Sequence, residues 1–381
     1  MLYALCSMRA ALYMAFSGVA LSAKSRWVNS TLLSTQYNME REVIHLGITD
    51  YAATAAAPAS ARRELLCATF VLGAASSLMA NIDNRDVACD WAIVVYDGDA
   101  SLVCNPMRLK QSVVHCGLVP EAVYDGLGMY GQVRNGSTPT LLVVDKKTGK
   151  PRRPTIPKTI LYTELLALLP KYKRVWLLDE DISLDGFDTS KFLRLWKCAF
   201  YPDKAPLIVQ PLIAENTQYL RYVNARAWTK GGVIASGSGL VEQQCPAFDA
   251  VFFEWFLRRV LPLPRRVVLQ NGVDWGHDRT WCNAARMYAS EVLRWAGEQL
   301  FQACALLPGA PPVHHLNTRS MLSKRTQRER YRLGGRAVVQ EYINLFPTWV
   351  LLDISRGPDP INKSEYKKVW QINPACREQK E

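Results

Sequence analysis

Two aspartates, separated by one glutamate, follow one of the most apolar stretches of the sequence. The run from Arg174 to Leu178 (RVWLL) leads directly into Asp179, Glu180 and Asp181. Carboxylates at positions i and i+2, where the backbone leaves a sheet, can both turn toward one hard divalent cation. Such an ion bridges diphosphate oxygens and neutralises the charge that develops on a nucleotide leaving group. The motif therefore indicates a transferase that uses a nucleotide-sugar donor.

The same tripeptide permits two other interpretations. In the first, Asp179 and Asp181 only cap the turn that follows. In the second, the chain is a phosphatase of the haloacid-dehalogenase type, in which Asp179 would be the nucleophile. The sequence DEDISL is close to that pattern, but Ser183 replaces the usual Thr or Val, and two strong strands precede the motif. We therefore rank the phosphatase below the transferase.

The elements that must position these carboxylates alternate along the chain. Predicted strands cover Leu65–Leu72, Trp91–Tyr96, Thr140–Val144, Arg174–Leu178 and Leu207–Gln210. Predicted helices cover Thr159–Leu169, Thr189–Phe200 (with Asp188 as its N-cap) and Ser290–Leu306. This alternation predicts an α/β fold with a mostly parallel central sheet flanked by helices. Ligands of such sheets bind outside the carboxyl ends of the strands, so Asp97 and Asp179 are expected to border one crevice.

Composition and charge exclude several classes of protein. The chain has 381 residues, of which 49% are hydrophobic and 21% charged, which excludes an intrinsically disordered, coiled-coil or collagen-like chain. The net charge of +12 comes from 46 basic and 34 acidic residues. Two segments, 146–158 and 324–336, carry eleven of these twelve excess charges. A nucleic-acid-binding surface spread over the fold is therefore not expected.

The cysteines and the N-terminus bear on the cellular compartment. Ten cysteines occur without a C-x-x-C pair, which argues against a zinc ribbon and leaves burial or disulfide formation open. The apolar N-terminus predicts a signal anchor or signal peptide over residues 1–24, although a leader of a soluble protein remains an alternative. A stem over 25–61, a catalytic domain over 62–320 and a basic extension over 321–381 would follow. N-glycosylation sequons at Asn29, Asn135 and Asn362 are compatible with a luminal protein.

Five segments resemble, in order, the plant-type family called domain of unknown function 707. They are WAIVVYDGD (Trp91–Asp99), VWLLDEDISLDGFD (Val175–Asp188), IVQPLI (Ile208–Ile213), DWGHDRTWC (Asp274–Cys282) and HHL (His314–Leu316). Members are often labelled lysine-ketoglutarate reductase trans-splicing related proteins, but no dinucleotide-binding glycine fingerprint supports reductase chemistry. The resemblance implies a glycosyltransferase-A-like fold in a type II membrane protein of the Golgi or endoplasmic reticulum, with a secreted protein as the alternative.

The resemblance also implies a donor site. Asp179 and Asp181 would hold Mn²⁺ or Mg²⁺ on the diphosphate of a UDP- or GDP-sugar. His315 would complete the metal site, with the adjacent His314 as the competing ligand. Asp97 would contact the uridine or ribose, and Lys158 could reach a donor phosphate.

On the acceptor side, the resemblance implies a different set of residues. Asp278 of W-G-H-D would activate the hydroxyl of a glycan or other acceptor, although it could also cap the helix that begins near it. Trp275 and Gln210 would contact the acceptor. Val209 stands where the family tends to have Ser, so these acceptor contacts are the weaker part of the correspondence. A relative that binds carbohydrate without turnover is the remaining alternative.

Overall fold

The computed structural model describes residues 61–72, 76–97, 100–107, 109–119, 129–134, 141–145, 151–152, 157–198, 205–214, 235–238, 240–264, 267–268, 276–297, 299–316 and 334–343. All of them belong to one compact unit, Ile44–Glu381. The predicted signal segment, almost all of the predicted stem and the three sequons lie outside these residues. Within the described part of the chain, no helix is both long and apolar enough to cross a membrane.

The strands form one large sheet and two small ones. In chain order they are β1 (Arg63–Leu72), β2 (Asp90–Asp97), β3 (Val113–Leu118), β4 (Met129–Arg134), β5 (Leu141–Asp145), β6 (Pro151–Arg152), β7 (Tyr172–Asp179), β8 (Ile182–Ser183), β9 (Ile208–Pro211), β10 (Ser236–Gly237), β11 (Ala247–Asp249), β12 (Cys304–Leu307) and β13 (His314–His315). The eight-stranded sheet has the order β10-β12-β9-β11-β7-β1-β2-β3. Only β10 and β11 run against the other six strands. The predicted α/β fold with a mostly parallel central sheet is confirmed.

The helices connect these strands. They are α1 (Ser76–Asp83), α2 (Ala100–Met107), α3 (Lys158–Leu161), α4 (Thr189–Cys198), α5 (Ala250–Trp255), α6 (Asp278–Glu291), α7 (Gln299–Gln302) and α8 (residues 334–343). The N-cap predicted for α4 is present, since the backbone N–H of Lys191 donates to the Asp188 carboxylate at 2.9 Å. Capping of this kind satisfies a backbone donor that the first turn of a helix leaves without a partner.

An aromatic cluster fixes the strand that leads into the two aspartates. Trp176, in the middle of β7, stacks on Phe192 of α4 with ring centroids 5.0 Å apart. Phe187 lies in the segment between them, and its ring centroid is 4.8 Å from that of Trp176. All three side chains are fully buried. Because this packing holds both sides of the segment that contains Asp179 and Asp181, it limits where their carboxylates can point.

Three sequence-based assignments differ from the structure. The helix predicted over Ser290–Leu306 is wrong: α6 ends at Glu291, and Cys304–Leu307 is a buried strand beside β9. Positive φ angles at Arg294 and Gly297 break the helix between these points. The predicted strand near Thr140 exists as β5, but it belongs to the small β4-β5-β6 sheet. The predicted helix from Thr159 is helical only over Lys158–Leu161, and 3₁₀ turns follow.

Among the described residues, Cys198 is disulfide-bonded, and six further cysteines form three disulfides with one another. The pairs are Cys67–Cys89, Cys104–Cys116 and Cys282–Cys304. The last pair joins α6 to β12. Cys245 is a buried free thiol. Of the two outcomes that the sequence left open for its cysteines, the structure therefore shows both.

Candidate functional site

The strands bring the predicted donor-site residues to one edge of the central sheet. Asp179 ends β7 and lies opposite Phe70 of β1 in the strand register. Asp97 ends β2 and lies opposite Leu72 of the same strand. Both aspartates therefore stand at the carboxyl ends of parallel strands, where α/β sheets bind ligands. The side chain of Asp97 lies outside the described part of the structure.

Asp179 forms an ion pair with Lys158. The Lys158 ammonium, on the first residue of α3, lies 2.5 Å from Oδ1 of Asp179. Burial nevertheless raises the pKa of Asp179, and the charge of Asp181 acts in the same direction, against the opposing effect of Lys158. The lysine is therefore the main group that favours the ionised form of this carboxylate.

Asp181 and His315 meet through a short two-stranded ladder. β8 pairs with β13 so that His315 lies opposite Ile182 and His314 opposite Ser183. The backbone N–H of Leu316 donates to the carbonyl oxygen of Asp181 at 2.9 Å. As a result, Nε2 of His315 lies 3.3 Å from Oδ1 of Asp181. The structure thus brings the late histidine back to the D-x-D motif, and the residue in contact is His315.

The contact with His315 also changes the ionisation of Asp181. Burial alone would raise the pKa of this carboxyl. The hydrogen bond and charge of His315, with the charge of Lys158, outweigh burial and hold the pKa of Asp181 below its usual value. Asp181 is therefore the more acidic of the two aspartates and the better prepared for a cation.

Helix α1 fixes the backbone of the D-x-D turn. The Ser77 hydroxyl donates to the carbonyl of Glu180 at 2.5 Å. The Asn81 amide donates to the carbonyl of Ile182, and its oxygen accepts from the backbone N–H of Leu184, both at 2.8 Å. Sequence reasoning did not identify these two residues, because a Ser and an Asn in an amphipathic helix give no signal that distinguishes them from surface residues. They hold the turn that carries Asp181.

The donor set suits Mn²⁺ or Mg²⁺ chemically, since both ions accept carboxylate oxygens and Mn²⁺ also accepts imidazole. Among the described residues, however, no group of three His, Cys, Asp or Glu side chains stands in a metal-binding arrangement. Asp181 and His315 are together, whereas Asp179 faces Lys158. A cation bound by both aspartates would have to replace the lysine at Asp179.

A segment that the sequence analysis did not single out, Glu242–Cys245, lies beside this pair. The backbone N–H of Asp179 donates to the carbonyl of Gln244 at 2.9 Å. Nε2 of Gln244 lies 3.4 Å from Nε2 of His315. This segment, EQQC in sequence, has no periodic pattern that would have marked it. Its position became visible only from the strand order, which places β11 next to β7.

Gln210, predicted on the acceptor side, contacts that segment. It is fully buried in β9. Its side-chain oxygen accepts from the backbone N–H of Glu242 at 2.6 Å, and its amide nitrogen lies 3.5 Å from Sγ of Cys245. Gln210 therefore contacts both ends of the segment, the main chain at Glu242 and the thiol side chain at Cys245.

Glu242 is a further acid of the site whose ionisation is strongly perturbed. Burial, together with the negative charges of Asp278 and Asp179, raises its pKa to about 8. Its Oε2 atom is buried and has no hydrogen-bond partner, and the same holds for Oε1 of Gln244. Buried acceptor oxygens without partners are uncommon in folded proteins, and here two occur within three residues. They mark a place where a ligand could supply the missing donors.

Asp278 is the first residue of α6. Its negative charge raises the pKa of Glu242. Oδ1 of Asp278 accepts from the backbone N–H of Gly276 at 3.1 Å. The preceding His277 is fully buried, with Nδ1 2.8 Å from the hydroxyl of Tyr342 in α8. Helix α8 lies in the predicted basic extension, so part of that extension packs on the W-G-H-D segment. Trp275 lies outside the described residues.

No protein-family model matches the sequence, and no curated protein shows significant similarity to it. A similar solved structure is the mannosyltransferase PcManGT from Pyrobaculum calidifontis in complex with GDP-Man and Mn²⁺. The two chains are 13% identical, the match covers 91% of this chain and 82% of that one, and the TM-score is 0.35. At that TM-score the likeness supports no statement about the activity of this chain.

Proposed function

We propose that this protein is a metal-dependent glycosyltransferase that transfers a sugar from a UDP- or GDP-sugar to a hydroxyl of a glycan or other acceptor. Membership in the domain of unknown function 707 family, which the sequence segments suggest, is part of the same proposal. The alternating strands and the carboxylates at their carboxyl ends support it.

One observation carries the proposal: His315 contacts Asp181 at 3.3 Å, although 134 positions separate them in the sequence. A turn-capping role for the D-x-D motif does not require a distant imidazole. A site for a divalent cation accounts for it, because an imidazole from elsewhere in the chain can add a ligand to the two carboxylates. Asp179, Asp181 and His315 would hold Mn²⁺ or Mg²⁺, and the bound ion would neutralise charge on the departing nucleoside diphosphate.

The remaining donor contacts follow from the positions of two other residues. Lys158 would turn from Asp179 toward a donor phosphate once a cation occupies the aspartates. Asp97, two strands away at the same edge of the sheet, would contact the ribose or uridine. The basic segment around 146–158 would add positive charge near the diphosphate.

The decisive experiment is calorimetric titration of the purified full chain with UDP and with GDP, in the presence and absence of Mn²⁺. We expect Mn²⁺-dependent binding of at least one nucleotide, and its loss in Asp181→Ala. Asp185→Ala is the matched control, because Asp185 is an exposed aspartate in the same loop. The absence of any Mn²⁺-dependent nucleotide binding would contradict the proposal.

One contact also suits the haloacid-dehalogenase-type phosphatase, because that mechanism needs a lysine near the nucleophilic aspartate. Lys158 lies 2.5 Å from Asp179. This alternative predicts Mg²⁺-dependent hydrolysis of p-nitrophenyl phosphate and a phosphorylated Asp179, which borohydride would reduce to homoserine. Nucleotide binding without phosphoester hydrolysis would exclude it.

The three disulfides support maturation in an oxidising compartment, because disulfides rarely persist in the cytosol. We place the catalytic domain in the lumen of the Golgi or endoplasmic reticulum, with a secreted protein as the alternative. A fusion of the full chain to a pH-sensitive fluorescent protein, with protease protection of microsomes, tests this placement.

A further inference from the structure

Glu242 belongs to the segment that borders the proposed donor site. Its segment continues to Gln244, whose carbonyl accepts from the backbone of Asp179 and whose side chain reaches His315. On the other side, the charge of Asp278 acts on the Glu242 carboxyl. A carboxylate that is sensitive both to Asp179 and to Asp278 stands where a donor sugar and an acceptor hydroxyl would meet.

The backbone of Glu242 is held by a hydrogen bond, although Oε2 of its carboxylate has no partner. The backbone at Glu242 is fixed by the buried side chain of Gln210 at 2.6 Å. In contrast, Oε2 of Glu242 and Oε1 of Gln244 are buried without partners. Leaving a buried acceptor without a donor is unfavourable by about 1–3 kcal/mol. Sugar hydroxyls are donors of the kind that these two oxygens lack.

Asp278, the acid that the sequence favoured for activating the acceptor, is engaged elsewhere. Its Oδ1 accepts from the N–H of Gly276, two residues before it, at the start of α6. That contact orders the first turn of the helix and uses one of the lone-pair positions of the carboxylate. Asp278 is therefore better suited to position the start of α6 than to accept a proton.

We propose that Glu242 is the proton acceptor of the transfer reaction and that Asp278 is a positioning residue. This inference rests on the proposed function. The acceptor oxygen forms a bond to the anomeric carbon of the donor sugar while the bond from that carbon to the diphosphate oxygen breaks. The nucleoside diphosphate leaves with the bonding electron pair. The hydroxyl proton passes to the carboxylate of Glu242 and is then lost to solvent.

The charged and titratable groups around Glu242 fit this role. Asp179 and Asp278 are the acids whose charges act on it, and the thiol of Cys245 is the third titratable neighbour. Burial, together with the charges of both acids, makes the carboxylate a stronger base than an exposed glutamate, since each of these disfavours the ionised form. A base is most effective when its pKa lies close to the working pH.

The test measures release of nucleoside diphosphate from UDP-glucose and from GDP-mannose by the full chain with Mn²⁺, across pH 5.5 to 9.5. We expect Glu242→Gln to lower kcat by about 10²- to 10⁴-fold. Its affinity for Mn²⁺ with UDP or GDP should stay within about twofold of the parent. The rising limb of the pH–rate profile should also disappear in this variant, whereas Asp278→Asn should keep it with a reduced rate.

Two controls separate catalysis from folding. Glu164→Gln removes another carboxyl whose pKa is raised by burial, on a different element, and should turn over at the parent rate. Glu242→Asp shortens the side chain but keeps the base, and should recover part of the lost rate. Thermal unfolding of each variant verifies that it is folded at the assay temperature.

The outcomes distinguish this inference from the proposed function. If the parent binds no nucleotide with Mn²⁺, the proposed function fails. Two results would overturn only the assignment of the base, provided that the parent binds nucleotide. In the first, Glu242→Gln turns over at the parent rate. In the second, Asp278→Asn alone loses the rising limb of the pH–rate profile. Nucleotide binding without turnover in the parent overturns the assignment as well and leaves the donor site standing.

Discussion

The ammonium of Lys158 lies 2.5 Å from the carboxylate of Asp179, at the position where the proposed site requires a divalent cation. The lysine thus neutralises a largely buried carboxylate whose pKa burial raises. A divalent cation that binds at Asp179 replaces the single positive charge of Lys158 with two. The displaced Lys158 can then contact a phosphate oxygen. Lysine is a common phosphate ligand in nucleotide sites.

Replacing this lysine should separate metal binding from nucleotide binding. In Lys158→Met the cation no longer competes with an ammonium, so we expect Mn²⁺ alone to bind about fivefold to tenfold more tightly, a gain of about 1 kcal/mol. Affinity for GDP or UDP with Mn²⁺ should instead fall, because a phosphate contact is lost. Lys158→Arg keeps the charge and serves as the control. Equal changes in the affinity for Mn²⁺ alone and in the affinity for nucleotide with Mn²⁺ would contradict the replacement of Lys158 by the cation.

The two adjacent histidines should differ sharply as metal ligands. His315 faces Asp181 at 3.3 Å, whereas His314 lies opposite Ser183 in the ladder. We expect His315→Ala to weaken Mn²⁺ binding by at least tenfold, the effect of removing one ligand, and His314→Ala to leave it within twofold. Electron paramagnetic resonance of Mn²⁺ with each variant measures this directly. A larger effect at His314 would move the ligand assignment to that residue.

The donor edge of this fold could be predicted from the sequence because strand ends are marked locally. A continuous apolar run followed by Asp179-Glu180-Asp181 shows both a buried strand and its end, and parallel strands end at a common edge. The structure adds the register, which places Asp97 and Asp179 on strands on either side of β1. Edge strand β3 was not predicted, because most of its residues are only partly buried and its sequence therefore lacks a continuous apolar run.

The acceptor side could not be predicted in the same way, since it depends on contacts between segments distant in sequence. Glu242 meets Gln210 only because β11 inserts between β7 and β9, against the direction of both. No local pattern in EQQC indicates that insertion. The helix predicted across Cys304 failed for a related reason: an apolar run of four residues suits a buried strand as well as a helix, and the neighbouring strand decides.

The stability of the protein should depend on the ionisation of Glu242. Its pKa is raised from 4.5 to about 8 in the folded state, so the folded protein holds one more proton than the unfolded chain between these pH values. Stability from this group is therefore present at low pH and lost as the pH rises through about 8. Relative to the parent, Glu242→Gln should gain about 2–4 kcal/mol between pH 5 and pH 9, at about 1.4 kcal/mol per unit of pKa. Urea unfolding at both pH values measures the change. Parallel stability curves for parent and variant would show that the carboxyl ionises normally.

The disulfide between Cys282 and Cys304 should stabilise the helix that carries Asp278. It closes a separation of 22 residues and joins α6 to β12. Replacing both cysteines by serine should lower the free energy of unfolding by about 3 kcal/mol, the value for a loop of this size. Peptide mapping of the protein purified without reductant should recover this cross-link together with Cys67–Cys89 and Cys104–Cys116. Full alkylation of these six cysteines before reduction would contradict both the three disulfides and maturation in an oxidising compartment.

Gly276, beside the W-G-H-D acid, should be far less replaceable than a glycine of similar backbone conformation elsewhere. Its φ is +106°, and an added Cβ would lie 2.6 Å from the carbonyl oxygen of Gly335 and 2.8 Å from Cγ2 of Val339 in α8. Gly186 also has a positive φ, +68°, but nothing lies within 4 Å of its Cβ position. Gly186→Ala should therefore cost only backbone strain, about 1–2 kcal/mol. Gly276→Ala adds a clash with backbone that cannot be relieved by rotating a side chain, so α8 must move and the loss should exceed that of the control by about 2 kcal/mol or more.

The displacement of α8 gives this last substitution a local readout. Arg336 lies exposed on α8, and the Tyr342 hydroxyl on the same helix contacts the buried His277 at 2.8 Å. Trypsin should cleave after Arg336 at least tenfold faster in Gly276→Ala than in Gly186→Ala, because cleavage needs local unfolding of the helix. Turnover should fall in the first variant and persist in the second, since only Gly276 is coupled to Asp278. Equal cleavage rates in the two variants would show that the packing of α8 on the W-G-H-D segment contributes nothing to the order of the site.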